Sequence, residues 1–135
     1  MVDDVPSVHL DLQLPAEAAS VARARHLLEG VPGLGSHAAL MLDMRLAMSE
    51  MVTNSILHGS AGRADEVEVV VDVDPRRVRI EVADNGRGFD PAGRTDLPPS
   101  HSTAGRGLHL VDALTDRWGV ELADGTRVWA EFDLS

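Results

Sequence analysis

The chain has 135 residues and a formal net charge of -10, from 22 acidic and 12 basic side chains, a length that suits one domain over 1–135 with its own core. It has no cysteine, which excludes a disulfide framework and thiolate metal sites, and every basic residue is Arg, which excludes a phosphate-cradling or Schiff-base lysine. The acidic balance argues against nucleic acid as a direct partner, no apolar run nears the roughly 20 residues of a membrane span, and Met1-Val2-Asp3-Asp4 does not open like a secretory leader, so a cytoplasmic protein is expected.

Val8, Leu10, Leu12 and Leu14 alternate with His9, Asp11 and Gln13, the period of a half-buried strand. Pro15 is expected to open a helix running to about Leu28, with Val21, Leu27 and Leu28 inward. Gly30, Pro32, Gly33 and Gly35 then make a breaker-rich loop. Ser36 suits the N-cap of a long helix ending at Gly59, with Leu40, Met44, Ala47, Met51 and Leu57 as its apolar residues. Val67, Val69, Val71 and Val73 predict a second strand, Asp74-Pro75-Arg76-Arg77 a turn, and Val78, Ile80 and Val82 the returning strand of a hairpin.

From Asn85 to Ala104 the chain is rich in Gly, Pro, Ser and Asp, and a loop that long in a compact domain is a functional lid or a disordered segment. A short helix over about Gly107–Thr115 follows, with Leu108, Val111 and Leu114 inward. Trp118, Val120 and Leu122 predict a strand, Asp124-Gly125 a hairpin turn, and Val128, Ala130, Phe132 and Leu134 the last strand. Strands paired in hairpins, in the order βααββαββ, predict an α+β fold: a mostly antiparallel sheet with helices on one face.

Three segments on these elements carry chemistry. Glu50 and Asn54, four apart, share one helical face, with Arg45 five residues before Glu50 and His58 continuing the stripe. A carboxamide oxygen is a hard ligand that suits Mg²⁺ with phosphates, and a carboxylate beside it can act as general base toward a hydroxyl. Alone, such a pair is more often part of a solvated polar stripe. Asp84 ends the strand Ile80-Glu81-Val82-Ala83, where its carboxylate can accept a hydrogen bond from an exocyclic amine such as that of adenine. Gly86 and Gly88 after it allow a flat ring or a phosphate to approach the backbone, or simply make a surface turn. Gly105-Arg106-Gly107-Leu108 opens the second apolar helix, whose free N–H groups suit a phosphate; in isolation it is an ordinary loop-to-helix junction. The three together, in this order, describe an ATP site. The six histidines (His9, His26, His37, His58, His101 and His109) show no metal-ligand spacing.

At these residues the chain resembles the GHKL, or Bergerat-type, ATP-binding superfamily of histidine kinases, gyrase-like ATPases and Hsp90. Glu50–Asn54 is similar to its N box, Asp84–Gly88 to its first glycine box and Gly105–Leu108 to its second. Ser49–Asn54 with His58-Gly59, Gly105–Leu108 with Leu110-Val111, Asp116–Gly119 and Val128-Trp129 resemble the small anti-sigma-factor serine/threonine kinases of Gram-positive bacteria, the stand-alone actinobacterial versions above all. The resemblance implies ATP and Mg²⁺ as cofactors and Glu50 as the base that activates a hydroxyl on a protein substrate. It implies that Asn54 holds Mg²⁺, that Asp84 recognises adenine, and that Gly86, Gly88, Gly105, Arg106, Gly107 and Leu108 line the nucleotide site, with a lid over 91–104. The implied partners are a sigma factor and a STAS-domain antagonist, and the implied assembly is a homodimer. The alternative is a non-catalytic module of the same fold, in which nucleotide state sets partner choice. A histidine kinase would need a phosphoacceptor helix pair, and a gyrase-type ATPase a transducer domain with a catalytic lysine.

Overall fold

The computed structural model describes residues 5–60, 66–84, 103–122 and 126–134, and of residues 58–60, 103–107 and 122 the backbone alone. The described elements run β1 (Val8–Pro15), α1 (Ala19–Glu29), α2 (Ala38–Asn54), β2 (Glu66–Asp74), β3 (Arg77–Asp84), α3 (Thr103–Leu114), β4 (Arg117–Leu122) and β5 (Thr126–Asp133). A 3₁₀ turn, Leu34–Ser36, precedes α2, and a π-helical turn, Ser55–Ser60, extends it. The five strands form one sheet in the order β1-β2-β3-β5-β4, and every neighbouring pair is antiparallel. Helix α2 packs against both α1 and α3, so the described helices make one layer over the sheet. This is the α+β architecture that the hairpin pattern predicts.

The period-2 alternation of the strands sorts their side chains onto two faces. The register aligns Leu10, Val71, Ile80, Ala130 and Trp118 across all five strands, with Leu12, Val69, Val82 and Val128 in the next row. Val67, Val69, Val71, Ile80, Ala130 and Phe132 are buried in this face. Helix α2 meets it with Met41, Met44, Met48 and Met51, spaced three and four apart on one stripe, and with Ala47 and Val52. Helix α3 adds Leu108 and Val111, and α1 adds Ala24 and Leu28.

The boundaries of α1 and α2 differ from the sequence expectation at three points. Pro15 closes β1 and does not open α1, because it still pairs with Glu66 in the ladder; α1 starts at Ala19. Ser36 is not the cap of α2. Its Oγ donates back to the Gly33 carbonyl at 2.8 Å, closing the 3₁₀ turn, and His37 occupies the N-cap. Gly33 itself has φ 81°, a left-handed conformation that favours glycine. The α-helical part of α2 ends at Asn54, the π-helical turn carries the helix on past the expected end at Gly59, and in that turn Leu57 is 58% exposed, not inward. Asp74 accepts the Arg76 and Arg77 N–H groups at 2.8 and 3.0 Å, the side-chain turn that joins β2 to β3. Asp124-Gly125 lies outside the described residues.

The second face of the sheet is built from charges. Arg79 donates to Glu81 and Glu131, both at 2.7 Å, Arg117 donates to Glu131 at 2.8 Å, and Arg127 donates to Glu81 at 2.7 Å. Arg117 also pairs with Asp133, and His9 with Asp72 across β1 and β2. The Arg79 guanidinium lies 4.5 Å from the centre of the Trp129 ring, a cation–π contact. Among the described residues no helix is long and apolar enough to cross a membrane.

Candidate functional site

The candidate site lies where the end of α2 crosses the end of the β2–β3 hairpin. Helix α2 packs on β3 and β5, and the turn Ser55–Ser60 packs on both β2 and β3. Only a few residues separate that turn from the start of β2, whose Val67 is the register partner of Asp84. The C-terminal end of α2 and the last residue of β3 are thus held at one end of the helix–sheet layer.

Asp84 is two residues beyond Val82 and four beyond Ile80, so its side chain enters the helix-covered face. It is 7% exposed. A carboxylate at that depth needs hydrogen-bond donors. The Thr126 N–H at the start of β5 donates to Oδ1 at 3.3 Å, which ties the end of β3 to its neighbour. A carboxylate accepts at several lone pairs, and an amine is among the donors that suit it.

Glu50 and Asn54 stand on α2 one turn apart, both half-buried, beside the buried stripe of Met44, Met48 and Met51. The neighbouring polar residues of α2 turn elsewhere. Arg45 faces Glu29 of α1 with its Nε 3.5 Å from the carboxylate. Ser49 donates to the Arg45 carbonyl at 2.9 Å and receives Arg25 Nη1 at 3.5 Å. Arg45 therefore belongs to the α1–α2 contact and not to the Glu50–Asn54 stripe, and its Nε is buried without a hydrogen-bond partner. The His58 side chain lies outside the described residues.

The second glycine pair sits differently from the sequence expectation. Helix α3 starts at Thr103, so Gly105, Arg106 and Gly107 lie inside its first turns instead of before it. The unbonded N–H groups of a helix are those of its first turn, which moves the donors from Gly107 back toward Thr103. Leu108 is in the hydrophobic core at 6% exposure, so its side chain anchors α3 against α2. Gly86, Gly88 and the segment 91–104, apart from the helical 103–104, lie outside the described residues.

One polar residue here escaped the sequence reasoning. Ser55 follows Met51 by four and Val52 by three, so the helical period carries it to the buried stripe. It is 8% exposed, and its Oγ has no hydrogen-bond partner. The spacing from Met51 was the available signal, but the neighbouring Asn54 draws the eye to the outer face.

The donor set fits a magnesium nucleotide. Mg²⁺ keeps waters and phosphate oxygens and takes one or two protein ligands, which a single carboxamide can supply. A buried carboxylate at a strand end suits an amine donor on a flat base. The histidine kinase-like ATPase domain family matches residues 14–132. The chain is 32% identical over 117 residues to the serine-protein kinase RsbW of Bacillus thuringiensis (strain Al Hakam), covering 79% of this chain and 73% of that one. It is 30% identical over 131 residues to the serine-protein kinase RsbW of Bacillus licheniformis, covering 89% of this chain and 82% of that one.

Proposed function

Because the chain belongs to the histidine kinase-like ATPase domain family, we infer that it is an ATP-using serine/threonine protein kinase of the RsbW kind, acting as an anti-sigma regulator. The observation that supports this reading is that Glu50 and Asn54, one turn apart, stand near the end of α2, whose following turn packs on β3, the strand that ends in the buried Asp84. Asp84 holds the adenine amine, and Asn54 offers its side-chain oxygen to Mg²⁺. When bound, Mg²⁺ offsets the charge of the phosphates. Glu50 accepts the proton of a serine or threonine hydroxyl as its oxygen bonds to the γ-phosphorus and the bond to ADP breaks. Gly86, Gly88, Gly105, Arg106 and Gly107 belong to this nucleotide site by the family resemblance, with the segment 91–104 as its lid.

The same resemblance supports a STAS-domain antagonist as the phosphorylated protein, a sigma factor as the bound partner, a homodimer and a cytoplasmic location. The test is phosphotransfer from γ-labelled ATP and Mg²⁺ into the protein fraction of the source organism. A labelled band is expected, and Glu50→Ala is expected to lower its rate by about 10²-fold or more. A band of equal intensity with Glu50→Ala would remove Glu50 as base. The absence of any band from a preparation that binds nucleotide would favour a nucleotide-gated binding module.

A further inference from the structure

Three polar residues are buried among the described residues: Ser20, Ser55 and Asp84. Two are satisfied within the fold. Ser20 Oγ donates to the Pro15 carbonyl at 2.6 Å, and Asp84 accepts the Thr126 N–H. Ser55 Oγ alone of the three has no partner. A buried hydroxyl without a hydrogen bond is a standing cost to the fold, and such groups call for an explanation.

The position of Ser55 supplies one. It begins the turn that packs on β2 and β3, and it faces inward with Met51 and Val52. Asp84 enters the same helix–sheet layer from the end of β3. Asn54, on the outer side of the backbone, is the adjacent residue. The fold thus brings a hydroxyl and a carboxylate to one end of one layer, from opposite walls.

We propose that Ser55 is a base-reading residue of the nucleotide site, its hydroxyl donating to a ring nitrogen beside the adenine amine that Asp84 binds, directly or through one water. This rests on the ATP-binding reading above. The chemistry of the pair matches adenine: the carboxylate accepts from the amine, and the hydroxyl donates to an adjacent ring acceptor. Guanine carries a carbonyl in place of the amine, which would face the Asp84 carboxylate with no proton between them. Asp84 therefore sets the polarity of the edge, and Ser55 adds a second point that fixes the ring in its plane. In the free protein the hydroxyl costs stability; in the complex it is paired, so the cost becomes binding selectivity.

Calorimetric titration of ADP into wild type, Ser55→Ala and Asp84→Asn tests this, with and without Mg²⁺. Ser55→Ala is expected to weaken ADP about three- to tenfold, equally in both conditions. It is expected to melt no lower than wild type when nucleotide-free, since the substitution removes an unpaired buried group. ADP analogues with carbon in place of N1 or of N7 separate hydrogen bonding from packing. With one of the two, Ser55→Ala and wild type are expected to bind alike. A penalty that persists with both analogues, or unchanged ADP affinity in Ser55→Ala beside a loss in Asp84→Asn, overturns the proposal and leaves the adenine assignment standing. No loss in either variant overturns both.

Discussion

Strand β5 shows two ways of stabilising one sheet. Toward the helices it presents Val128, Ala130 and Phe132, all buried; toward the other side it presents Arg127, Trp129, Glu131 and Asp133. The covered face is held by apolar burial, worth about 25 cal/mol per Å² removed from water. The open face is held by a ladder of guanidinium–carboxylate bonds running Arg117–Glu131–Arg79–Glu81–Arg127–Glu68 across β4, β5, β3 and β2. Exposed ion pairs contribute little singly, and this ladder owes part of its worth to the long stems and the indole that cover the sheet backbone. The polar candidate site breaks the rule of the covered face: Asp84 and Ser55 are polar groups placed where the rest of the layer is apolar.

The contrast predicts a ranking of effects. Phe132→Ala opens a cavity in the covered face and is expected to cost about 3–5 kcal/mol, read as a fall in the urea midpoint at constant slope. Gly119→Ala tests the open face. Gly119 is the register partner of Trp129, and a Cβ there would stand 2.7 Å from Trp129 Nε1 and 2.8 Å from Cε2 and Cζ2. The rigid indole must leave its place on β4 and with it the stack under Arg79. A cost of about 1–3 kcal/mol is expected, with a change in tryptophan emission. A cost near zero with an unchanged spectrum would mean that the indole is not held there.

Asp84→Asn keeps the shape and an oxygen for the Thr126 N–H, so it separates the site from the fold. It is expected to leave the melting temperature near wild type and to weaken adenine nucleotides by about 1–3 kcal/mol. Unchanged affinity would remove Asp84 from adenine recognition. Asn54→Ala is expected to lose the Mg²⁺-dependent part of the affinity, and equal losses with and without the metal would exclude a ligand role.

The smallest effect is acid sensitivity of the open face. The Arg117 hydrogen bond holds the Glu131 carboxyl below its ordinary value of 4.5, burial opposes this, and Arg79 adds to the lowering. Burial pushes Glu81 up, but Arg79 and Arg127 outweigh it and its carboxyl also sits below the ordinary value. A carboxyl depressed in the folded state contributes stability that is present above about pH 4.5 and is lost as pH falls through the lower folded value. Glu131→Gln is expected to cost about 1 kcal/mol or less at neutral pH and to make the acid limb of the stability curve shallower. An identical acid limb in the variant would place the acid-labile group elsewhere. His9, raised above its ordinary 6.5 by the Asp72 hydrogen bond, works in the opposite sense: its contribution is present below about pH 6.5 and is lost as pH rises through the folded value.

The strands were legible because Val67, Val69, Val71 and Val73, like Val128, Ala130 and Phe132, recur at every second position and so share one face, although Val70 interrupts the alternation and is buried on the other face. The Glu50–Asn54 pair was legible because the helical period is local. Helix ends were not, since Pro15, Ser36 and Gly107 carry end signals that local pairing overrode: the β1–β2 ladder kept Pro15, a 3₁₀ turn took Ser36, and α3 began at Thr103.

By itself, then, the chain's periodicity determined the antiparallel hairpins, the amphipathic α2 and the residue types of a nucleotide site. Only the tertiary structure decided which polar residues are buried together. Burial depends on what packs opposite. Asp84 is deep because α2 and its following turn close over the end of β3, and Ser55 is inward because Met51 and Val52 seat that turn on the sheet. Those contacts join residues far apart in the chain, and no local spacing encodes them.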